Sequence, residues 1–234
     1  MTGLPLGRPR LHLRSTDSTN SRAQALALAG APHGTLVTAS EQSAGRGRQG
    51  RSWSAPAGRA LLCSVLVRDP PRLIPLAAGV AVAEVAGEAA RVKWPNDVLI
   101  DGRKVAGILV EGRPQERWAV IGIGLNVALR PEDFPHELRD RATTLGLAPE
   151  AIEPTLVRLL AALERWLSAE PEAVLAAVSA RDALRGRPVR WAQGSGTADG
   201  IDGEGRLRVI TAEGVSVLAA GEVHLEPASG SEPD

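Results

Sequence analysis

The strongest constraint on the fold is a run at residues 60–68, ALLCSVLVR, that is apolar at nearly every position. A strand with one face in water alternates apolar and polar residues, whereas a continuously apolar strand is buried on both faces. The segment at residues 75–90, PLAAGVAVAEVAGEAA, has helical length and few polar residues, which indicates an internal helix. A buried strand and an internal helix together predict an α/β (α+β) fold with a sizeable core.

Periodic segments on either side complete the predicted domain. Strands are predicted at residues 10–15, 35–40, 92–94 with 96–100, 105–112 and 118–129, and further helices at 20–30, 152–167 and 172–184. From Gly186 the pattern changes to short strands separated by Gly, Asp and Glu turns. We therefore predict an α/β domain at residues 1–184, a small β-barrel at 185–227 and a disordered tail at 228–234.

Charge and composition exclude several classes of protein. Twenty-seven basic residues balance twenty-seven acidic ones, so the basic excess of a general nucleic-acid or membrane-surface binder is absent. The N-terminal segment has no apolar run typical of a signal peptide, and no stretch approaches the roughly 18 apolar residues of a membrane span. The single cysteine, Cys63, lies in the apolar run and is expected to be a buried, inert thiol. The chain is expected to be soluble and cytoplasmic, without a nucleic-acid or membrane partner.

The distribution of lysine and asparagine marks particular segments. The chain has 25 arginines but only two lysines, and only three asparagines. Arginine serves most surface roles of lysine, so lysine is expected to survive where a compact ammonium is needed. These five residues are Lys93, Lys104, Asn20, Asn96 and Asn126. All five fall within the segments described next, which favours a functional interpretation over chance.

The first segment is Asp17-Ser18-Thr19-Asn20, at the start of the first predicted helix. These residue types are favoured N-caps, and by itself that explanation is sufficient. A helix N-terminus with spare hydroxyl and amide groups is also a platform for a small ligand.

The second segment is a Gly- and Arg-rich loop, EQSAGRGRQGRSW at residues 41–53. Glycine allows close backbone approach, and arginine forks match phosphate or carboxylate oxygens. A solvated loop and a single-strand RNA segment are the alternatives. The RNA interpretation needs basic or aromatic surroundings, which a neutral chain with 3% aromatic residues lacks. The pattern therefore favours a lid that binds an anion.

Two more segments lie in predicted strands. In K-W-P-N-D, at residues 93–97, the proline fixes a bend, so that Lys93 and Asn96 can point into one cleft. Lys104 begins K-V-A-G-I-L-V-E, in which Gly107 leaves room beside the backbone. A surface lysine on a hairpin is the alternative. In G-I-G-L-N the paired glycines are a weak signal, but Asn126 in a central strand requires a hydrogen-bond partner.

Together, these segments resemble the biotin protein ligase family. Its pattern contains, in this order, S-T-N, Q-x-A-G-R-G-R-x-G-R-x-W, K-W-P-N-D, K-x-x-G-I-L-x-E and G-x-G-x-N, and every element occurs here. The arginine loop combined with K-W-P-N-D is highly specific. The resemblance implies a mixed-sheet catalytic domain related to class II aminoacyl-tRNA synthetases, with a C-terminal SH3-like barrel. Biotin and MgATP would give biotinyl-5′-adenylate, and the biotin would pass to a lysine of a biotin carboxyl carrier domain.

Matching positions imply the site residues. Lys104 and Arg48 are the implied catalytic contacts to the biotin carboxylate and the α-phosphate. The implied biotin-binding residues are Ser18, Thr19, Asn20, Gln42, Arg46, Gly47, Arg48 and Lys104. The implied ATP-binding residues are Arg51, Trp53, Lys93, Asn96, Asp97 and Asn126, with Trp53 stacking on adenine. No metal ligand is assigned, because Asp97 can either hold Mg²⁺ or orient a lysine.

Two departures from the family pattern bear on partners. Because the motif at Ser18 lies near Met1, the winged-helix DNA-binding domain that some members carry before it is not expected here. Glu226 stands where some relatives have a basic residue, so the barrel is assigned no catalytic residue. A homodimer is left open as the oligomeric state.

The alternative functions are a lipoate or octanoate ligase or transferase of similar fold, an RNA-binding module and a biotin sensor without activity. Retention of Lys104 and Arg48 argues against the sensor.

Overall fold

A mixed seven-stranded sheet forms the centre of the molecule. The computed structural model describes residues 5–225, so that Glu226 and the predicted tail lie outside the described residues. The strands are β1 (Arg10–Leu13), β2 (Leu36–Ala39), β3 (Ala60–Arg68), β4 (Arg91–Lys93), β5 (Asp97–Ile100), β6 (Arg103–Arg113) and β7 (Trp118–Asn126). Their order is β1-β2-β3-β7-β6-β5-β4, in which β1 and β2 are parallel and the other pairs antiparallel. The predicted α/β class is confirmed.

Helices cover both faces of this sheet. They are α1 (Thr19–Leu28), α2 (Ile74–Ala86) and α3 (Ile152–Leu167), and a fourth helix, α4 (Pro171–Ala180), packs against α2. Cys63 and Val65 of β3 share one core with α2 and α3, whereas Leu66 packs against α1 on the other face. The apolar run of β3 is therefore buried on both sides, as its sequence predicts. Burial raises the pKa of the Cys63 thiol to about 12, which fits an inert side chain.

A second sheet of five antiparallel strands packs against α2 and α4. Its strands are β8 (Pro188–Trp191), β9 (Gly194–Ile201), β10 (Leu207–Thr211), β11 (Gly214–Leu218) and β12 (His224–Leu225), in the order β11-β10-β9-β8-β12. Leu76 of α2 and Leu207 of β10 belong to one core that also holds Trp94. The Trp94 indole donates a 3.0 Å hydrogen bond to the Gly205 carbonyl. Trp94 of the K-W-P-N-D segment thus packs at the junction between the two sheets.

The last helix ends earlier than its sequence pattern predicts. We expect helix as far as residue 184, but α4 ends at Ala180. The chain beyond it pairs with β4, because Val92 N–H donates to Arg181 O at 2.8 Å and Ala183 N–H to Val92 O at 3.0 Å. The carboxylate of Asp182 accepts from Leu184 N–H at 2.8 Å, a local bond that competes with helix. Across residues 5–225, none of the helices combines the length and apolarity needed to span a bilayer.

Candidate active site

Two glycines of β7 make room for the site on the α1 face of the sheet. A Cβ placed on Gly124 would lie 2.3 Å from Cε2 of Trp53, and one on Gly122 would lie 2.1 Å from Oδ1 of Asn20. Real Cβ atoms do not approach other atoms so closely, so larger residues would displace both side chains. The weak G-x-G signal therefore has a steric origin: the glycines admit an indole from the arginine loop and an amide from α1.

The arginine loop folds back on itself above these glycines. Gly47 N–H donates to Arg51 O at 2.7 Å, and Trp53 N–H donates to Gly45 O at 2.9 Å. Gly45 has no space for a side chain, because a Cβ there would lie 2.2 Å from the Trp53 carbonyl oxygen. At the tip, Gln49 takes a left-handed φ of 55°. These contacts direct both Arg48 and Trp53 into the cavity below.

One cavity of about 100 Å³, partly open to solvent, lies between this loop and the sheet. It brings together eleven residues that the sequence predicts as a site: Ser18, Thr19, Asn20, Gln42, Arg46, Gly47, Arg48, Arg51, Trp53, Asn96 and Lys104. The sheet contributes further lining at Gly107, Ile108, Leu109, Gly122, Ile123 and Gly124, with Ser52 from the loop. Segments distant in sequence therefore converge on one concave surface.

The wall formed by the start of α1 is polar and uncharged. Gln42 Oε1 accepts from the Thr19 backbone N–H at 2.7 Å and lies 3.0 Å from the Thr19 hydroxyl. Ser64, which is fully buried, lies 2.8 Å from the Thr19 hydroxyl and 2.7 Å from Asn20 Oδ1. The segment is thus held by side chains from two other elements, beyond what an N-cap requires. Such hydroxyl and amide groups complement a neutral polar ligand.

The opposite side of the cavity is cationic. Lys104 Nζ lies 2.6 Å from Asp97 Oδ1 and 5.7 Å from the centre of the Trp53 ring. Arg48 donates to Asn96 Oδ1 at 3.3 Å. Burial lowers the pKa of Arg48, an effect that the carboxylate of Asp97 opposes. Two partly desolvated cations facing one space attract an anion strongly.

Three predicted site residues do not line this cavity. Lys93 Nζ lies 4.0 Å from Asp97 Oδ2, so Asp97 stands between the two lysines. Burial lowers the pKa of Lys93, and Asp97 partly offsets the effect. Asn126, only 4% exposed, donates from Nδ2 to the Thr143 carbonyl at 2.9 Å. The structure therefore places Lys93 and Asp97 behind Lys104, and shows Asn126 supporting a neighbouring loop.

Three residues near the site have no role in the sequence prediction. Glu111 accepts hydrogen bonds from Asn20 and Arg46. Ser64 holds the wall, and Glu222 forms a 2.7 Å ion pair with Arg51. Ser64 had a signal, since it is a polar residue within an apolar run. Glu111 closes the K-x-x-G-I-L-x-E motif, but sequence alone could not name its partners.

The described residues contain no cluster of side chains that would form a metal-binding site by itself. Nowhere in residues 5–225 do three or more His, Cys, Asp or Glu side chains group together as metal ligands. Within the region around the cavity, the Asp97 carboxylate is engaged by the two lysines. Magnesium is usually held by one or two carboxylates together with substrate phosphates, so this region fits an ion that arrives with a nucleotide.

Comparison with known proteins supports one family. The model of the Biotin/lipoate A/B protein ligase family matches residues 12–127. The biotin–[acetyl-CoA-carboxylase] ligase of Mycobacterium tuberculosis is 36% identical over 231 residues, which cover 89% of this chain and 85% of the relative. The bifunctional ligase/repressor BirA of Bacillus subtilis is 42% identical over 155 residues, or 61% of this chain and 48% of BirA. The chain thus spans about half of that relative.

The whole described fold also has a counterpart among solved structures. The biotin protein ligase of Aquifex aeolicus in complex with biotin and ATP matches with a TM-score of 0.78 and 28% identity, covering 94% of this chain and all of that one. The fold and the family model place the chain in the class of biotin and lipoate protein ligases. At this identity and coverage, the chain belongs to the biotin protein ligase family.

Proposed function

We propose that this chain is a biotin–[acetyl-CoA-carboxylase] ligase, which activates biotin with ATP and transfers it to a lysine of a biotin carboxyl carrier domain. The observation that carries the proposal is the single cavity that joins an uncharged polar wall to two cations. Biotin has the same two ends, since its ureido ring is polar and neutral and its tail ends in a carboxylate. Homologues that are named as ligases support the assignment.

The activation step requires the cations. The biotin carboxylate attacks the α-phosphorus of ATP, a bond to the bridging oxygen breaks, and pyrophosphate leaves with that oxygen. Because two anions must meet, nearby positive charge lowers the barrier by screening their repulsion and stabilising the five-coordinate phosphorus. Lys104 contacts the carboxylate and the α-phosphate, and Arg48 holds the phosphate from the loop. Asp97, at 2.6 Å, orients the Lys104 ammonium.

The head group binds at the α1 wall. The ureido ring offers two N–H donors and a carbonyl acceptor, which match hydroxyl and amide side chains. Ser18 and the Gln42 Nε2 group provide such groups directly, and the Thr19 hydroxyl adds one although it already contacts Gln42 and Ser64. Asn20 has fewer atoms to offer, since Oδ1 lies 2.7 Å from Ser64 Oγ and Nδ2 donates to Leu109 and Glu111. The Arg46 and Gly47 segment of the loop covers the ring.

The nucleotide binds beside Trp53. This indole stacks on adenine, Arg51 and Asn96 lie towards the phosphates, and Lys93 with Asp97 supports them from behind. Asn126 contacts adenine or ribose only if its bond to the Thr143 carbonyl is exchanged for the ligand. Magnesium would be held mainly by the phosphates of ATP, where it would neutralise charge on the leaving pyrophosphate.

Gly124→Ala tests the place of the indole. The new methyl group would overlap Cε2 of Trp53, so we expect the ring to shift and the KM for ATP to rise about tenfold, in line with the loss of one stacked base. Initial rates of pyrophosphate release against ATP concentration measure this. Gly203→Ala is the matched control, since nothing lies within 4 Å of a Cβ there. An unchanged KM in Gly124→Ala would remove Trp53 from the nucleotide site.

Transfer completes the reaction. The neutral amine of the acceptor lysine attacks the carbonyl carbon of biotinyl-5′-adenylate, an amide bond forms, and AMP leaves with the bridging oxygen. The adenylate is a mixed anhydride that reacts with water or any amine, so the loop must cover it until the carrier docks. The arginine loop, with its inward-facing Arg48, provides that cover.

Finer features of the architecture belong to the same proposal. We assign residues 1–184 to a catalytic domain related to class II aminoacyl-tRNA synthetases and residues 185–227 to an SH3-like barrel. The five antiparallel strands from Pro188 to Leu225 support the second assignment. A homodimer is compatible with the proposal. The reaction is assigned to the cytoplasm because activation consumes ATP.

A lipoate or octanoate ligase of similar fold is the competing function, because the matching family model includes such enzymes. Carrier domains for biotin and for lipoate are therefore incubated separately with ATP and labelled biotin, lipoate or octanoate. We expect label only with biotin and the biotin carrier. Labelling of the lipoyl domain by lipoate or octanoate at a higher rate would assign the chain to the competing function.

A further inference from the structure

Glu111, at the far end of the same motif as Lys104, connects the arginine loop to the wall of the cavity. It lies on β6, and its side chain is 24% exposed. Oε1 accepts a 2.6 Å hydrogen bond from Nη2 of Arg46. Oε2 accepts from Nδ2 of Asn20 and Nε2 of Gln24, both at 2.9 Å. One carboxylate thus receives donors from the loop and from α1, and neither chemical step uses it.

The contacts continue from Glu111 to the head-group wall. Asn20 is 3% exposed, and the amide that donates to Glu111 also places Oδ1 2.7 Å from the buried Ser64 hydroxyl. Ser64 in turn lies 2.8 Å from the hydroxyl of Thr19. A continuous line of hydrogen bonds therefore runs from Arg46 through Glu111 to Thr19. Because its inner members are buried, alternative partners from water are scarce.

We propose that Glu111 is a positioning residue that couples closure of the arginine loop to the orientation of the head-group wall. The inference rests on the proposed function. The Glu111 carboxylate binds Arg46, and thereby the loop, through one oxygen and fixes Asn20 through the other. Biotin that fits the wall is then met by a loop already anchored above it. Glu111 thereby contributes to the retention of biotin and its adenylate from the Arg46 end of the loop, while Arg48 holds the loop through the phosphate and Lys104 determines the rate of activation.

Both oxygens of Glu111 must be acceptors for this coupling. Glutamine has nearly the same shape but only one acceptor oxygen, and its NH₂ group must face either Arg46 or the Asn20–Gln24 pair. On one side of the side chain, the glutamine NH₂ group therefore faces another hydrogen-bond donor. Aspartate keeps both acceptors and the charge but is shorter by one methylene group. Glu111→Gln should consequently uncouple loop and wall, and Glu111→Asp should restore part of the coupling.

The kinetic test separates KM from kcat in adenylate formation. For Glu111→Gln we expect the biotin KM to rise about tenfold with kcat within about threefold of wild type, as for loss of one charge-assisted hydrogen bond. Glu111→Asp should lie between. Glu153→Gln is the matched control. Glu153 forms a comparable carboxylate–guanidinium pair with Arg10, at 2.5 and 2.9 Å, but has no role in the proposed binding or catalytic site. A fall in kcat with unchanged KM would overturn the proposal.

A double variant tests whether Glu111 acts through Arg46. Arg46→Gln with Glu111→Gln should raise the biotin KM no more than the larger single change, because the second substitution removes a contact already lost. Additive effects would contradict the coupling.

Trypsin cleavage at residues 46–51 without ligands gives a readout independent of activity, and it should be roughly fivefold faster in Glu111→Gln than in wild type or Glu153→Gln. Equal cleavage of Glu111→Gln and wild type would show that Glu111 does not hold the loop. Failure of the wild type to form adenylate would instead refute the proposed function alone.

Discussion

Lys104→Arg is expected to slow adenylate formation by about a hundredfold or more, although the positive charge is kept. Lys104 Nζ lies 2.6 Å from Asp97 and close to the indole of Trp53. Its Cε and Nζ would lie 3.3 Å from a Cβ on Gly107, so the absent side chain there leaves the space along which Lys104 runs. A guanidinium is planar, longer and differently hydrated, and it cannot put one compact charge between carboxylate and phosphate.

Pyrophosphate release under single-turnover conditions measures this effect. Arg103→Lys is the matched control, because it makes the reverse exchange at the exposed neighbouring residue of β6 and should leave the rate unchanged. Thermal unfolding of both variants checks that the fold is intact. A Lys104→Arg rate within about tenfold of wild type would exclude the role assigned to this ammonium.

Arg48→Gly is expected to form biotinyl-5′-adenylate and release it early, so that unrelated proteins become biotinylated. Arg48 donates to Asn96 across the cavity, and its half-buried charge faces the position assigned to the α-phosphate. If this cation holds the loop down through the phosphate, its removal weakens closure more than it weakens chemistry. We expect retention of the adenylate to shorten about tenfold or more, a loss consistent with one charge-assisted contact.

Incubation with serum albumin, biotin and ATP, followed by blotting for biotin, measures the release directly. Gln49→Gly is the matched control, because Gln49 is exposed in the same loop and already has a left-handed φ of 55° that glycine adopts freely. It changes the loop without removing a cation and should not label albumin. If Arg48→Gly neither labels albumin nor shortens retention, Arg48 does not hold the loop closed.

The sequence predicts the layers of the fold because each layer has its own hydrophobic pattern. The continuous apolar run of β3 and the Ala-rich α2 are both buried as expected. The apolar periodicity places the end of α4 four residues too late, since it continues into a segment that pairs with β4. Helical periodicity carries no information about a competing strand that is distant in sequence.

The site was predictable where chemistry restricts the residue type. Lysine and asparagine are so scarce here that Lys104 and Asn96 stand out, and the structure places both at the cavity. Ser64 and Glu111 are missed because serine and glutamate are ordinary residues whose importance arises from partners in other elements. The same scarcity points to Asn126, but the structure gives its amide a backbone partner. A scarce residue type therefore indicates where the candidate site lies, whereas the role of each residue depends on contacts that only the structure shows.

Mass spectrometry under non-denaturing conditions, after the protein is mixed with biotin and MgATP, shows directly whether this chain activates biotin. We expect one bound biotinyl-5′-adenylate per chain, release of pyrophosphate, and loss of the bound species when a biotin carrier domain is added. Omission of ATP should leave biotin alone on the protein. If the protein with biotin and MgATP carries only unreacted biotin or ATP, or neither, and no pyrophosphate is released, this chain does not activate biotin.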